Sequence, residues 1–264
     1  MIPRVVASDL DGTLMRSDGT VSARTRESIA RVEAAGATFV MVTGRPPRWM
    51  RSVAEETGHR GLAVCGNGAL VYDLHTEQVV ESFLMAAAAA REVAEALRQQ
   101  IDGVAFAVEY PDRPFGHEEA YRPRWDSQDG KVVAPIDELL SRDVVKLLAR
   151  HRSMGPDEFL AKAHEVVGAA CTVTHSSSDG LVEISARGVS KATGLALVCS
   201  QLEVAQEGVV AFGDMPNDLP MLDWAGLGVA VGNAHPSVVE AADEVTASND
   251  DDGVAQVLDR WFRS

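Results

Sequence analysis

Val5-Val6-Ala7-Ser8-Asp9-Leu10-Asp11-Gly12-Thr13-Leu14 is the stretch on which the fold turns. Its opening run, Val5 to Ser8, carries no charge and reads as a buried strand rather than a helix. The run stops on two acids spaced two residues apart and on an Asp-Gly turn signal. Downstream, Ser22 to Ala35 has a helical pattern with Ser22 as its cap and Gly36 just past its end, and Phe39 to Thr43 is a second apolar run. Strand, helix and strand in this succession are βαβ grammar, which implies a parallel sheet.

The far end of the chain repeats the pattern. Ser190 to Gln206 carries Leu195, Val198, Cys199 and Leu202 at helical spacing, and Val209 to Phe212, Leu227 to Val231 and Glu244 to Thr246 read as short strands. The expected fold is therefore α/β, with a doubly wound, parallel-sheet, Rossmann-like core formed by residues 1–81 and 187–264. The middle differs in texture. An alanine-rich helix from Ala86 to Gln100 leads to strand-like runs at Val104 to Tyr110 and Asp143 to Ala149. A helix follows from Pro156 to Val167, with proline in its first turn, and the strands Cys171 to His175 and Leu181 to Ser185 flank Ser178-Asp179-Gly180. These patterns describe an inserted α+β unit over residues 82–186.

Composition narrows the range of functions. The 264 residues are 46% hydrophobic and 24% charged, as in an ordinary globular protein, and 24 basic against 39 acidic residues give a net charge of -15. Such a surface repels polyanions, which disfavours a nucleic-acid partner. Cys65, Cys171 and Cys199 are odd in number and form no Cys-x-x-Cys pair, so they read as buried thiols rather than as a disulfide framework or a zinc cage. The N-terminal apolar run is too brief for a signal-peptide core. The longest uncharged stretch, Ala225 to Val239, is broken by glycines and Pro236, short of the roughly 18 apolar residues of a membrane span. The expectation is a cytoplasmic protein with no membrane or obligate protein partner.

In an open parallel sheet the ligand crevice lies outside the carboxyl ends of the strands. Asp9 and Asp11 stand at the end of the first strand, Thr43-Gly44-Arg45 at the end of the second, and Gly213-Asp214-Met215-Pro216-Asn217-Asp218 after the Val209 strand. The plain reading of these segments is a turn and a helix cap, but a cap needs one acid and the last segment has two. Clustered carboxylates and carbonyls suit a hard cation such as Mg²⁺, whose shell a substrate phosphate completes. Lys191 follows the cap Ser190 and so lies in a first helical turn, where the helix dipole disfavours a cation by ~0.3 to 1 kcal/mol. A bound anion would reverse that cost, and the ammonium would also offset the negative charge of the clustered carboxylates; a solvated lysine is the plain alternative.

Taken in order, Asp9-Leu10-Asp11-Gly12-Thr13, Thr43-Gly44-Arg45, Lys191 and Gly213-Asp214-Met215-Pro216-Asn217-Asp218 resemble the haloacid-dehalogenase-like superfamily, in its Cof-type sugar-phosphatase branch. Gly66-Asn67-Gly68-Ala69 and Asn249-Asp250-Asp251-Asp252-Gly253-Val254-Ala255 are similar to the same branch. The resemblance implies a Mg²⁺-dependent phosphatase of small phosphorylated metabolites, sugar phosphates above all. Asp9 would be the nucleophile that forms an aspartyl-phosphate, and Asp11 the acid that becomes the base. Thr43 and Lys191 would complete the catalytic set. Leu10, Thr43, Gly44, Arg45, Asn67, Lys191 and Asn217 would contact phosphate or substrate. Asp9, the Asp11 carbonyl and Asp214 would hold the metal, with Asp218 in the same acidic set, supporting from just behind. Ala192 and Met215 depart from the residues many relatives carry, without removing a functional group.

The resemblance also makes the inserted unit a cap that selects the leaving group. Arg113, His117, Tyr121, Arg122, Arg124 and Trp125 are the candidates for that task, although acids are interleaved with them as on any solvated loop. His59, His75 and His235 read as surface or packing residues. A hexose-phosphate phosphomutase would share all four motifs. A non-catalytic sugar-phosphate sensor would have no need of both Asp9 and Asp11, and no Gly-x-Gly-x-x-Gly follows the first strand to support an oxidoreductase.

Overall fold

The computed structural model describes residues 2–112, 114–123, 130–177 and 179–263. They form two compact units, Met1–Ser82 with Ser190–Ser264, and Phe83–Val189.

In the first unit the chain runs β1 (Val5–Ser8), α1 (Ala23–Ala34), β2 (Thr38–Val42), α2 (Met50–Thr57), β3 (Leu62–Cys65), β4 (Leu70–Asp73) and β5 (Gln78–Ser82). In the second it forms α3 (Ala87–Gln100), β6 (Ala105–Glu109), β7 (Gly116–His117), β8 (Val132–Val133), α4 (Ile136–Leu139), β9 (Lys146–Arg150), α5 (Pro156–Val167), β10 (Cys171–Thr174) and β11 (Leu181–Ala186). The first unit then resumes with α6 (Lys191–Gln201), β12 (Val209–Gly213), α7 (Leu219–Trp224), β13 (Leu227–Ala230), α8 (Pro236–Ala241), β14 (Glu244–Val245) and α9 (Gly253–Leu258).

The first unit is built on one sheet of order β14-β13-β12-β1-β2-β3-β4-β5. From β14 to β3 every pair is parallel, and β4 and β5 extend the sheet as antiparallel neighbours. β1 is central, with Val5 opposite Val209 on one side and Thr38 on the other. Helices on the sheet faces explain why the inner strands read as unbroken apolar runs instead of alternating. Val5, Ala7, Val40 and Ala211 join Leu195, Val198 and Met221 of α6 and α7 in one apolar cluster, while α1 packs against α9.

Local chemistry sets the helix limits. Ser22 caps α1 by accepting the Thr25 amide, 3.0 Å away, and Gly36 beyond its end takes φ +80°. Helix α6 stops at Gln201 rather than running to Gln206. Glu203 adopts a left-handed φ of 53°, and the Val204 N–H turns back to the Cys199 carbonyl, 2.9 Å away. That closure is usually built on glycine, so its signal is absent from the sequence here. Strand β9 likewise begins at Lys146, not Asp143. Val144 forms an isolated bridge with Met85, and the Asp143 carboxylate accepts the Ala87 amide at the start of α3.

The second unit has a sheet of order β10-β11-β9-β6-β7-β8, antiparallel except for β7 with β8. Phe106, Val108, Leu147, Val182 and Ile184 pack with Val93 and Leu97 of α3 and Phe159 of α5. Alternation along the same strands sends Ala107, Leu148 and Leu181 into a second, smaller cluster with Tyr121. Lys146 and Glu183, also buried, form an ion pair. Arg150 stacks over the Tyr121 ring, 4.9 Å from its centroid.

All three cysteines are buried, and among the described residues none forms a disulfide. Among the described residues no helix is long and apolar enough to cross a membrane.

Candidate active site

The site forms where β1 and β12 end side by side. The Asp9 N–H donates to the Phe212 carbonyl at 3.0 Å, which fixes Asp9 beside the strand that delivers Asp214. Gly12 makes the next turn with φ +78°, and a Cβ there would come within 2.3 Å of Asp214 Oδ2, so only glycine lets this loop lie against that carboxylate. The Thr13 hydroxyl donates to Asp214 Oδ1 over 2.9 Å.

Lys191 enters from the first turn of α6, whose cap Ser190 and third residue Thr193 exchange hydrogen bonds. Its side chain is fully buried, and Nζ lies 2.6 Å from both Asp9 Oδ1 and Asp218 Oδ1. The solvated-lysine alternative does not hold. Asp218 Oδ2 in turn accepts the Asp214 and Met215 amides, each at 3.0 Å. Asp218 thus ties the lysine to the loop that carries Asp214, and its lone pairs are largely engaged.

Asp9, Asp214 and Asp218 each offer a carboxylate oxygen, all within 4.8 Å of one another. Three acids face one ammonium. Burial pushes the Asp9 carboxyl well above the usual carboxylate range; Lys191 opposes this, while Asp218, Asp214 and Asp11 add to it. Burial and then Asp218 raise Asp214 to about 6, against the pull of Thr13 and Lys191. Burial works against the Lys191 ammonium, yet Asp218 and Asp9 outweigh it and hold its pKa above that of an ordinary lysine. The cluster is short of positive charge, and its donors are hard oxygens. Both properties fit a small divalent cation.

A second arc joins the ends of β2 and β3. Thr43 Oγ1 accepts the Arg45 amide at 3.1 Å, and the Thr43 and Arg45 carbonyls accept the Asn67 and Gly66 amides, each at 3.0 Å. Asn67, with a left-handed φ of 58°, presents Oδ1 to the Asn217 side-chain amide at 3.1 Å. Asn217 Oδ1, buried, has no hydrogen-bond partner among the described residues. Gly68 is packed against α6, where a Cβ would sit 1.9 Å from the Ser190 carbonyl oxygen.

Asp11 stands apart from the acidic cluster. Its side chain is 60% exposed, and Arg45 grips it with Nε, 2.7 Å from Oδ2, and with Nη2 on Oδ1. The structure therefore places Asp9, Asp214, Asp218 and Lys191 together, links Thr43, Arg45, Asn67 and Asn217 in the adjoining arc, and pairs Asp11 with Arg45. Leu10 is fully buried in the β1 turn, where its carbonyl accepts the Met15 amide.

Of the residues expected to read a substrate in the second unit, His117 and Tyr121 are buried and Arg122 takes a left-handed φ of 48°. Arg113, Arg124 and Trp125, like the turn residue Ser178, lie outside the described residues. His59 is a packing residue, bonded to Glu33 and edge-on to Phe39, while the His235 side chain caps α8. Sequence reasoning passed over the Thr13 hydroxyl, although the residue stands in the opening motif. It also passed over Asn233, whose amide donates to the Gly12 carbonyl at 2.8 Å, and gave no role to Asn249 of the last motif, whose amide does the same for Met15.

The chain is similar to known proteins along nearly its whole length. A family model described as haloacid dehalogenase-like hydrolase matches residues 6–258. The 5-amino-6-(5-phospho-D-ribitylamino)uracil phosphatase YitU of Bacillus subtilis is 31% identical, with 98% of each chain covered. The pyridoxal phosphate phosphatase YbhA of Escherichia coli is 30% identical, again over 98% of each. Among solved structures, a haloacid dehalogenase-like hydrolase from B. subtilis superposes with a TM-score of 0.83 at 25% identity, over 97% of this chain and 98% of that one.

Proposed function

The chain belongs to the haloacid dehalogenase-like hydrolases, and from that premise we propose that it is a Mg²⁺-dependent phosphatase that hydrolyses small phosphate monoesters through an aspartyl-phosphate on Asp9. The observation that carries the reading is the buried Lys191, held 2.6 Å from both Asp9 and Asp218 beside a third acid, Asp214. A structural ion pair needs one acid; this one keeps a reactive carboxylate between an ammonium and a cation site.

Asp9 attacks phosphorus with one carboxylate oxygen, and the bond from phosphorus to the ester oxygen breaks. Asp11 gives that oxygen a proton, then takes one from the water that attacks the acyl phosphate, which returns Asp9 and releases phosphate. Lys191 neutralises charge that gathers on Asp9 and the transferring group, and the Thr43 and Asn217 side chains offer hydrogen bonds at its rim. Asp9 and Asp214 would hold Mg²⁺, with Asp218 orienting Asp214 and Lys191 from behind. When bound, the ion offsets the mutual repulsion of nucleophile and phosphate and draws charge from the phosphoryl oxygens.

Residues 82–186 carry none of these groups and would serve as the cap that reads the leaving group. YitU and YbhA are named for phosphate esters with polar leaving groups. The assay is therefore phosphate release from hexose phosphates, pyridoxal phosphate and 5-amino-6-(5-phospho-D-ribitylamino)uracil, with Mg²⁺ and without a bisphosphate activator. Asp9→Asn should abolish release, and Asp11→Asn should slow it by roughly 10² to 10⁴-fold. Wild-type turnover by Asp9→Asn overturns the mechanism, and isomerised sugar phosphate without free phosphate identifies a mutase instead.

A further inference from the structure

We propose that Arg45 is the positioning residue of the acid-base group: its guanidinium fork, rather than binding the substrate phosphate, sets the direction in which Asp11 presents its carboxyl to the leaving oxygen. The inference rests on the reading of Asp11 as the acid-base.

Asp11 lacks the support its neighbours enjoy. Asp9, Asp214 and Asp218 are buried among fixed donors, whereas the Asp11 side chain is 60% exposed and lies outside their cluster. A carboxylate on two rotatable bonds at such a place has several staggered positions open to it. Arg45 removes that freedom. Two parallel contacts, Nε to Oδ2 and Nη2 to Oδ1, fix the carboxylate plane as well as its location.

Arg45 is itself anchored. Its N–H donates to Thr43 Oγ1 and its carbonyl accepts the Gly66 N–H, so the arc that joins β2 to β3 holds its backbone at both ends. Its side chain is 21% exposed, and the Asp11 pair holds the guanidinium charged despite the burial that works against it. The Nε–Nη2 edge of the fork, one of the two edges able to hold an anion by two bonds, is the one turned to Asp11. A phosphate held on that edge would require the pair to break; a positioning role uses it as it stands.

The two roles leave different kinetic marks. A phosphate ligand contributes to every ester alike, because all share the same group. A residue that aims the acid matters in proportion to how much the leaving oxygen needs a proton: little for p-nitrophenolate, more for phenolate, most for an alkoxide.

The test is kcat/KM for p-nitrophenyl phosphate, phenyl phosphate and glycerol phosphate with the full chain in saturating Mg²⁺, for wild type, Arg45→Lys, Arg45→Ala and Asp11→Asn. Both Arg45 variants should lose about 10²-fold on glycerol phosphate, the scale of a misplaced catalytic group, and at most a few-fold on p-nitrophenyl phosphate. Lysine should not rescue, since it keeps the charge and loses the fork. Adding Asp11→Asn to Arg45→Ala should cost little beyond Asp11→Asn alone. An equal loss on all three esters, or rescue by lysine, overturns the proposal in favour of phosphate binding. Unchanged kinetics overturn it outright. If Arg45→Ala does not fold, Arg45→Lys and the leaving-group trend it shows decide. If Asp11→Asn itself shows no leaving-group dependence, the assignment of Asp11 fails, a result distinct from failure at Arg45.

Discussion

The Thr13 hydroxyl and the Asp214 carboxylate, at the ends of different strands, are joined by a 2.9 Å hydrogen bond. Both residues are buried, so the bond fixes the direction of Asp214, which in the proposed mechanism holds Mg²⁺. Thr13→Val keeps the shape and removes the donor. The Mg²⁺ concentration for half-maximal activity should rise by roughly 10-fold, as for other groups that orient metal ligands. An unchanged Mg²⁺ titration would reduce the hydroxyl to a packing role.

Lys191→Met leaves Asp9 and Asp218 buried without their shared cation. Removing one partner of a buried ion pair costs about 3–5 kcal/mol, which should appear as a lower urea midpoint in chelator at neutral pH. Adding Asp218→Asn should recover part of the loss, and both variants should be inactive. A midpoint equal to wild type would mean that the acids are protonated together, with no need of the lysine.

Stability without metal should fall as pH rises. Asp214 is pushed up to about 6 in the folded chain, chiefly by burial, and Asp9 is raised in the same direction. A raised folded-state pKa gives stability that is complete below the unfolded value, roughly pH 4, and is lost as pH climbs through the folded value. A cation that binds the ionised acids has the opposite dependence. The gain in melting temperature from Mg²⁺ over EDTA should therefore be small near about pH 5 and large near about pH 7.5. Scanning fluorimetry across that range checks the sign, and a gain that shrinks with pH refutes it.

Gly68→Ala should be among the most damaging single-methyl changes. The new Cβ would meet the Ser190 carbonyl oxygen at 1.9 Å, and φ at this residue is +102°. Neither backbone can retreat, because Gly68 follows the arc bonded to Thr43 and Ser190 caps the helix that carries Lys191. A loss of about 3 kcal/mol is expected from overpacking together with the disfavoured backbone, measured as a shift of the urea midpoint. A shift under about 1 kcal/mol would show that the loop has room to move.

The parts of this molecule that were legible in the sequence are those whose signal is local. Apolar runs ending in Asp9, Thr43 and Asp214 read as strands because helices cover their faces, and the parallel topology then brings their ends together. Lys191 was ambiguous for the opposite reason. A position in a first helical turn says nothing of the acids that meet it, and Asp218 approaches from the turn before another helix. The true end of α6 was hidden by the left-handed Glu203, where the sequence gives no glycine to announce the stop. The pairing of Arg45 with Asp11 joins the ends of two strands and leaves no mark in either motif. Strand β5 showed no alternation: all five of its residues are exposed at the edge of the sheet.

The central place of β1 has a consequence for the birth of the protein. One side of Val5–Ser8 pairs with β2 almost at once, but the other waits for Val209–Gly213, which the ribosome makes only after the whole second unit. At roughly 5–20 residues per second that wait is on the order of ten to forty seconds. For that time the nascent chain carries an apolar strand with one edge bare, open to pairing with its neighbours on a polysome. A stall in translation before residue 209 strands the chain in that state, so the codons and chaperones that govern the middle of the message bear on yield as much as any residue of the site.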